Sequence, residues 1–418
     1  MKTIVAHPGK QHSYRLASAL KKDGSLLFYA TTFYASESSL ISKVLGHFAR
    51  GSNRKRLNSH RNEDLRDCDV KVFCEIGGLI EVLASRFDSS RNVYRWVHRI
   101  VSDIFGIKVA KLAIEEHADA VIAYDSNATA CFRYLKKEAP EILRILDVSI
   151  APRPFLKIVY DKEITESGRD DLRILNRNLW NGKLMKRFQQ EIDDSQFFLA
   201  ASDFVRTGLK WCGAADSQVL IVPYGANVSS DRKCRIISED APIRFLFVGQ
   251  ATYRKGLSYL IDAMDGLQDK AELTVTGAFN AKDWFVKNSL NKPNIEYTGF
   301  VTGDRMQRIY ENSDVMVIPS FSEGMSQVGI EAMACGLPVI CTTNSGVNDL
   351  ITEGENGFII EPGNQEQLKE KMEWFIEHRN HIREMGEKAR SVAENYSWDR
   401  YEENVIEALH KVIDGESN

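Results

Sequence analysis

The stretch that decides the fold runs from Val315 to Pro338 and reads VMVIPSFSEGMSQVGIEAMACGLP. Its first four residues are apolar and stop at Pro319-Ser320, which is the pattern of a buried strand. A short loop carrying Glu323 and Gly324 follows, and a helix is expected from near Ser326. Gly336 fits the left-handed position after that helix, and Pro338 prevents its continuation. A strand–loop–helix unit of this kind aims backbone N–H groups and the positive end of a helix dipole at the C-terminal edge of the strand. Open α/β sheets bind ligands at that edge, and phosphates suit it.

Outward from this unit, short apolar runs closed by turn residues and followed by helical patterns recur along the whole chain. Strands are expected at 3–6, 70–74, 120–123, 142–147 and 196–200 in the first half. In the second half the clearest are 244–248, 272–275, 315–318, 339–342 and 357–359. Strands alternating with helices imply parallel sheets covered on both faces, because parallel strands need long crossovers. The chain has 418 residues, too many for one ordinary core, so two doubly wound domains are expected. The polar stretch 229–242 (SSDRKCRIISEDAP) is the expected linker. Near the end, Leu368, Met372, Phe375 and Ile376 form a helical stripe with Asn364 as N-cap. A second stripe, Trp398, Tyr401, Val405, Leu409 and Val412, marks another core-packing helix.

Composition narrows the class. Hydrophobic content of 43% is that of a globular protein, and a net charge of -4 gives no general reason to expect nucleic acid. Seven scattered cysteines with no CxxC pair point to reduced thiols in a cytoplasmic protein. The opening MKTIVAHPGK reads as a first strand entering a loop and not as a signal peptide. No apolar run approaches the ~20 residues of a membrane-spanning helix.

Two local patterns carry chemistry. Strand IRFLFVG ends at Gly249, and the following loop delivers Arg254 and Lys255 just before Gly256 and the run LSYLIDAM. Two cations at a helix N-terminus oppose its dipole and call for an anion, which a diphosphate would supply; a solvated basic turn is the alternative. Glu323 and Glu331 stand eight apart, about 12 Å if the whole interval were helical at ~1.5 Å per residue. At that separation one carboxylate could meet a ribose and the other a sugar beyond a diphosphate, or both could be solvated carboxylates near a helix start.

Taken together, SEGMSQVGIEAMACGLPVI resembles the E-x7-E signature of family-4 retaining glycosyltransferases, and FVGQATYRKGLSYLIDAM resembles their donor-phosphate loop. IVPYGANV, IEYTGFVTGDRMQRIYENSDVMVIPS and YSWDRYEENVIEAL fit the same order, from about Phe198 to Tyr401. The resemblance implies the GT-B fold, two Rossmann-like domains about a cleft. It assigns 1–230 to the acceptor-side domain, 231–397 to the nucleotide-sugar domain, and 398–418 to a helix that returns to the first. It further implies a hexosyltransferase that takes a UDP- or GDP-linked sugar and needs no metal or other cofactor. Arg254 and Lys255 would neutralise the diphosphate, and Gly249 would be donor-binding with them. Glu331 would accept from ribose hydroxyls, and Glu323 would contact the donor sugar. The backbone near Phe300 and Val301 would face the base, and Gly324, Met325, Ser326 and Gln327 would meet sugar or phosphate. Front-face substitution, with the departing phosphate taking the acceptor proton, is the implied chemistry.

The first half departs from the family's habits. Its first loop, where relatives often use glycines to approach donor phosphate or acceptor, keeps one glycine, Gly9, beside Lys10 and His12, which are taken for the acceptor and phosphate side. The stretch ILDVSIAPRPF has no histidine where relatives often place one, so Asp147 is taken for the cleft role; a carboxylate capping local backbone is the alternative. Tyr124-Asp125 could line the acceptor side. Asp67-Cys68-Asp69 matches D-x-D formally but lies far from the donor segment and is given no metal role. Lys43, Arg50, Arg54, Lys55, Arg56 and Arg61, with Arg91, Arg95 and Arg99 and the nearby aromatics Phe48, Tyr94 and Trp96, suit contact with an anionic membrane or a lipid-diphosphate acceptor; a solvated basic loop is the other reading. The expected acceptor is a glycan or lipid-linked molecule in surface-polysaccharide assembly. A non-catalytic GT-B interaction subunit would show an eroded donor site, and an epimerase would need further acid–base groups; neither feature stands out. No G-x-G-x-x-G follows the first strand, which disfavours an NAD-dependent oxidoreductase.

Overall fold

All four residues of Val315–Ile318 are buried, as they must be in a strand covered by helices on both faces. In the computed structural model, which describes residues 1–9, 12–35, 61–87, 92–168, 172–173, 177–227 and 237–413, this strand is the fourth in a six-stranded parallel sheet. That sheet contains β8 (Ile243–Val248), β9 (Ala271–Thr276), β10 (Ile295–Gly299), β11 (Val315–Ile318), β12 (Val339–Thr342) and β13 (Gly357–Ile360), in the order β10-β9-β8-β11-β12-β13. The first half forms a seven-stranded parallel sheet from β1 (Thr3–Ala6), β2 (Leu26–Thr31), β3 (Val70–Val72), β4 (Ala120–Tyr124), β5 (Leu143–Val148), β6 (Phe197–Ala200) and β7 (Val219–Ile221). Its order is β3-β2-β1-β4-β5-β6-β7. The architecture is therefore two Rossmann-like doubly wound sheets, as the alternation of strands and helices predicts.

Three strands escaped the sequence reading. Leu26–Thr31 runs on into Thr32-Phe33-Tyr34 without a closing turn residue, and an unclosed apolar run is ambiguous between strand and helix. Val219–Ile221 is only three residues long, and Ile295–Gly299 is an edge strand with one fully buried residue.

Helix signals were sharper. The helix Gln365–Glu377 begins at Asn364, whose side-chain oxygen accepts from Gln367 N–H at 3.0 Å. Leu368, Met372 and Phe375 are at most 1% exposed, each burial contributing about 1.5–3 kcal/mol. The last described helix, Trp398–Ile413, packs on helix Ser13–Asp23 of the first domain. Lys22 Nζ meets a Glu402 carboxylate oxygen at 2.6 Å across that contact, and the Arg15 guanidinium lies 5.3 Å over the Trp398 ring. Gly225 is needed here, because a Cβ on it would lie 2.5 Å from the Ser397 carbonyl oxygen.

The expected linker lies mainly outside the described residues, which omit 228–236. Lys10, Lys43, Phe48, Arg50, Arg54, Lys55, Arg56 and Arg91 lie outside them too.

Candidate active site

Two loops of the second domain meet at the C-terminal ends of neighbouring strands β8 and β11. The first turns at Gly249, with φ of 153°, and Gly277 packs so tightly beneath it that a Cβ there would come to 2.0 Å of the Gly249 carbonyl oxygen. The Lys255 stem runs over Gly249, with Cε 3.6 Å from where a Cβ would sit. Arg254 and Lys255 occupy the short 3-10 turn Tyr253–Lys255, which Gly256 closes at φ 71° before helix Leu257–Ala263. A side chain at Gly256 is excluded outright, since its Cβ would fall 1.8 Å from the Pro319 carbonyl oxygen. Phe321 N–H then donates to the Arg254 carbonyl at 2.8 Å and ties the second loop to the first.

The anion that the two cations call for is supplied, in this structure, by Glu323. Its Oε1 accepts from Arg254 Nη1 at 2.8 Å and from Lys255 Nζ at 2.5 Å. Arg254 Nη1 also donates to the Ser322 carbonyl at 2.7 Å. The Lys255 and Glu323 side chains are only 16% and 12% exposed. Burial holds the Lys255 ammonium below its ordinary pKa despite the pull of Glu323, and the Arg254 charge pushes the same way. Chemically, the cluster can exchange the Glu323 carboxylate for another anion at both cations.

The helix starts at Gln327, so the interval from Glu323 to Glu331 is only partly helical and the 12 Å spacing does not apply. Glu331 lies within the helix and accepts from the Tyr310 hydroxyl at 2.9 Å. Met325 and Ser326 are buried, and the Ser326 hydroxyl has no hydrogen-bond partner among the described residues. Val301 is buried, whereas the Phe300 side chain is 80% exposed.

Gly324 faces the first domain. A Cβ on it would stand 2.0 Å from the Ser149 carbonyl oxygen, and its own carbonyl accepts from Ser202 Oγ at 2.6 Å. The segment after β5 is thereby set against the Glu323 loop.

Around it, the ends of β1, β4 and β5 bring together His12, Tyr124, Asp125 and Asp147. Asp147 does not line the cleft as expected: its carboxylate pairs with His12 Nε2 at 3.1 Å, and the two side chains are 3% and 6% exposed. Tyr124 and Tyr224 flank His12 at ring distances of 5.1 and 4.2 Å, with Tyr401 of the last helix at 6.5 Å. Burial beside Asp147 drives all three phenols far above their usual pKa. Asp125 Oδ1 accepts from Ser149 N–H at 2.9 Å, and burial raises its pKa. Gly9 N–H donates to His7 Nδ1 at 2.8 Å. His12, Asp147, Tyr124 and Tyr224 thus form one packed cluster, which Tyr401 joins to the last helix.

Sequence reasoning passed over Tyr310, Tyr224 and the pair Tyr253 and Tyr259. Tyr253 could have been suspected, since it directly precedes the two cations. Asp69 of the D-x-D tripeptide is paired with Lys21 at 2.6 Å.

Residues 232–392 match the family described as glycosyl transferases group 1, so the second domain is a group 1 glycosyl transferase domain. Over 180 residues the chain is 31% identical to an uncharacterised glycosyltransferase of Methanocaldococcus jannaschii, covering 40% of this chain and 45% of that protein. The chain thus spans less than half the length of the first curated relatives it matches, 45% and 44% for two glycosyltransferases of that organism. The sucrose-phosphate synthase of Thermosynechococcus elongatus superposes over all of both chains with a TM-score of 0.63 at 15% identity. An Anabaena protein solved in complex with UDP superposes over 98% of this chain and 100% of its own with a TM-score of 0.63 at 16% identity. At such identities the likeness establishes the two-domain GT-B fold.

Proposed function

We propose that this chain, whose second domain belongs to the group 1 glycosyl transferases, is a retaining glycosyltransferase that moves a hexose or related sugar from a nucleotide-diphosphate sugar to a glycan or lipid-linked acceptor. The observation that carries this reading is the Arg254–Lys255–Glu323 cluster at the C-terminal ends of β8 and β11. As the bond from sugar C1 to phosphate breaks, negative charge grows on the departing diphosphate. Two fixed cations aimed at it lower that barrier, so the reading includes no metal ion. The acceptor oxygen bonds to C1 on the face the phosphate leaves, and its proton passes to a phosphate oxygen. Neither Glu323 nor Asp147 then acts as a nucleophile; Glu323 orients the sugar, and Asp147, held by His12, shapes the floor of the acceptor side. That the Anabaena fold relative is solved with UDP supports a nucleotide-linked donor.

The test is a thermal-shift screen against UDP, GDP, ADP and their common sugars, with EDTA present. A nucleotide at tenfold its Kd stabilises by about 1.4 kcal/mol, readable in a melting curve. A shift with one base names the donor; no shift with any of them sinks the donor assignment.

Peripheral contact with a membrane belongs to the same reading. No helix among the described residues is long and apolar enough to cross a bilayer. Helices Glu75–Phe87 and Asn92–Glu115 nevertheless expose Ile76, Ile80, Leu83, Val93 and Trp96, with Arg95 and Arg99 alongside. Co-sedimentation with vesicles containing anionic lipid, weakened by salt and by Trp96→Ser, is the expected outcome; equal recovery without vesicles would remove this part.

A further inference from the structure

Glu163 stands on helix Arg153–Ser167 of the first domain, yet its carboxylate is spent on the second. It is 7% exposed. Oε1 accepts from the Tyr253 hydroxyl at 3.1 Å and also from the Tyr259 hydroxyl, and the two hydroxyls touch each other. Oε2 lies against Gly363, where φ is 79° and a Cβ would come to 2.5 Å of it. An anionic oxygen fed by two O–H donors is a strong arrangement in a buried site, and a costly one to break.

What it holds is the donor-phosphate loop. Tyr253 begins the turn that carries Arg254 and Lys255, and Tyr259 lies in the first turn of the helix that follows. The Tyr253 ring stacks on Phe321 at 5.2 Å and 16°, and Phe321 N–H holds the Arg254 carbonyl. Tyr160, one turn earlier on the same helix as Glu163, also meets Phe321, at 6.1 Å. A single first-domain carboxylate therefore holds the start of the basic turn and the helix that follows it, and can do so only at this separation of the two domains.

We propose that Glu163 is a positioning residue for the donor diphosphate, a latch through Tyr253 and Tyr259 that sets Arg254 and Lys255 only when the interdomain cleft is closed. The proposal deepens the transferase reading and rests on it for the identity of the anion. If the domains part, the latch opens, the turn loses its anchor and the cations lose their common aim. Cleft closure and diphosphate capture are thus one event, which keeps a bound donor from being activated while the acceptor side is open to water.

The experiment compares the full chain with Glu163→Gln, Glu163→Ala and the double variant Tyr253→Phe/Tyr259→Phe. Amide hydrogen exchange is followed without ligand across 251–260 and across 315–318 as an internal reference. Calorimetric affinity is measured for UDP, GDP and ADP, and melting temperature for each protein. In Glu163→Ala, exchange across 251–260 should rise at least tenfold with 315–318 unchanged, and affinity for the nucleotide that binds should fall about tenfold. Glu163→Gln keeps an acceptor oxygen and should restore both to within threefold. The tyrosine double variant, which leaves Glu163 in place, should match Glu163→Ala. Unchanged exchange in both Glu163→Ala and the double variant overturns the latch, as does a lowered melting temperature with undiminished nucleotide affinity. If none of the three nucleotides binds the wild type, the transferase reading falls, while the exchange data still decide whether Glu163 anchors the turn.

Discussion

Replacing Lys255 with methionine separates function from stability in a way the structure makes quantitative. The Lys255 ammonium is 16% exposed and sits 2.5 Å from Glu323 Oε1, but Arg254 Nη1 holds the same oxygen at 2.8 Å. Methionine fills a similar volume, and Glu323 keeps one charged partner, so no buried anion is left alone. Removing the lysine also removes a group whose burial, together with repulsion from Arg254, outweighs its attraction to Glu323, as its lowered pKa shows. The unfolding free energy of Lys255→Met should accordingly lie within about 1 kcal/mol of wild type at neutral pH. Transfer should fall about 10²–10³-fold, the effect of deleting one preorganised charge-stabilising group, or roughly 2.7–4 kcal/mol.

The pH dependence has a definite sign. The folded amine titrates below its unfolded value of 10.5, so in that window the unfolded chain binds more protons. Wild-type stability therefore rises with pH relative to Lys255→Met as pH climbs toward 10.5, and the two converge on a constant difference below the folded pKa. The assays are chemical denaturation at several pH values and a coupled nucleotide-release measurement with the responsive donor. Transfer within threefold of wild type, or a loss of more than about 3 kcal/mol in stability, would refute the reasoning.

Three further outcomes are expected. Gly324→Ala puts a Cβ 2.0 Å from the Ser149 carbonyl oxygen and must push the domains apart, so transfer should drop at least about 100-fold and nucleotide affinity should fall about tenfold as the Glu163 latch opens; wild-type transfer would show that this contact is not needed for turnover. Tyr310→Phe removes the donor 2.9 Å from Glu331 Oε2 and should weaken UDP or GDP binding about tenfold in calorimetry, whereas unchanged affinity would detach Glu331 from the ribose. Glu191 is buried where it caps helix Thr129–Glu138, accepting from Ala128 and Thr129 N–H at 2.9 and 3.0 Å, and burial pushes its pKa up to about 7 from 4.5. The native state then holds the extra proton, so wild-type stability relative to Glu191→Gln should fall as pH rises from 4.5 to 7; a flat difference would place the folded pKa near its ordinary value.

The second domain was largely legible because its signals are local. Val315–Ile318 is four consecutive buried residues, Ser326 precedes the helix that begins at Gln327, and Gly336 has the φ of 78° that a helix end demands. Each of these follows from short-range sterics and hydrogen bonding, which a sequence window contains. The stripe Leu368, Met372 and Phe375 was readable for the same reason, since helical periodicity alone puts those residues on one face.

Only the tertiary structure decided which groups share a charge and which face a ligand. The sequence calls for an anion beside Arg254 and Lys255, but that Glu323, nearly seventy positions away, provides it depends on β8 and β11 being neighbours. Asp147 stands at a strand end as read, yet the crossing of Trp398–Ile413 under the first domain encloses it with His12 and three tyrosines. Glu163 looks from sequence like any carboxylate on a helix of mixed charge, and acquires a partner only when the two domains close on each other. Local rules fix where strands and helices begin and end because their energetics are set within a few residues. The assignment of partners to buried charges is set by which distant segments exclude water together, and no window of sequence contains that.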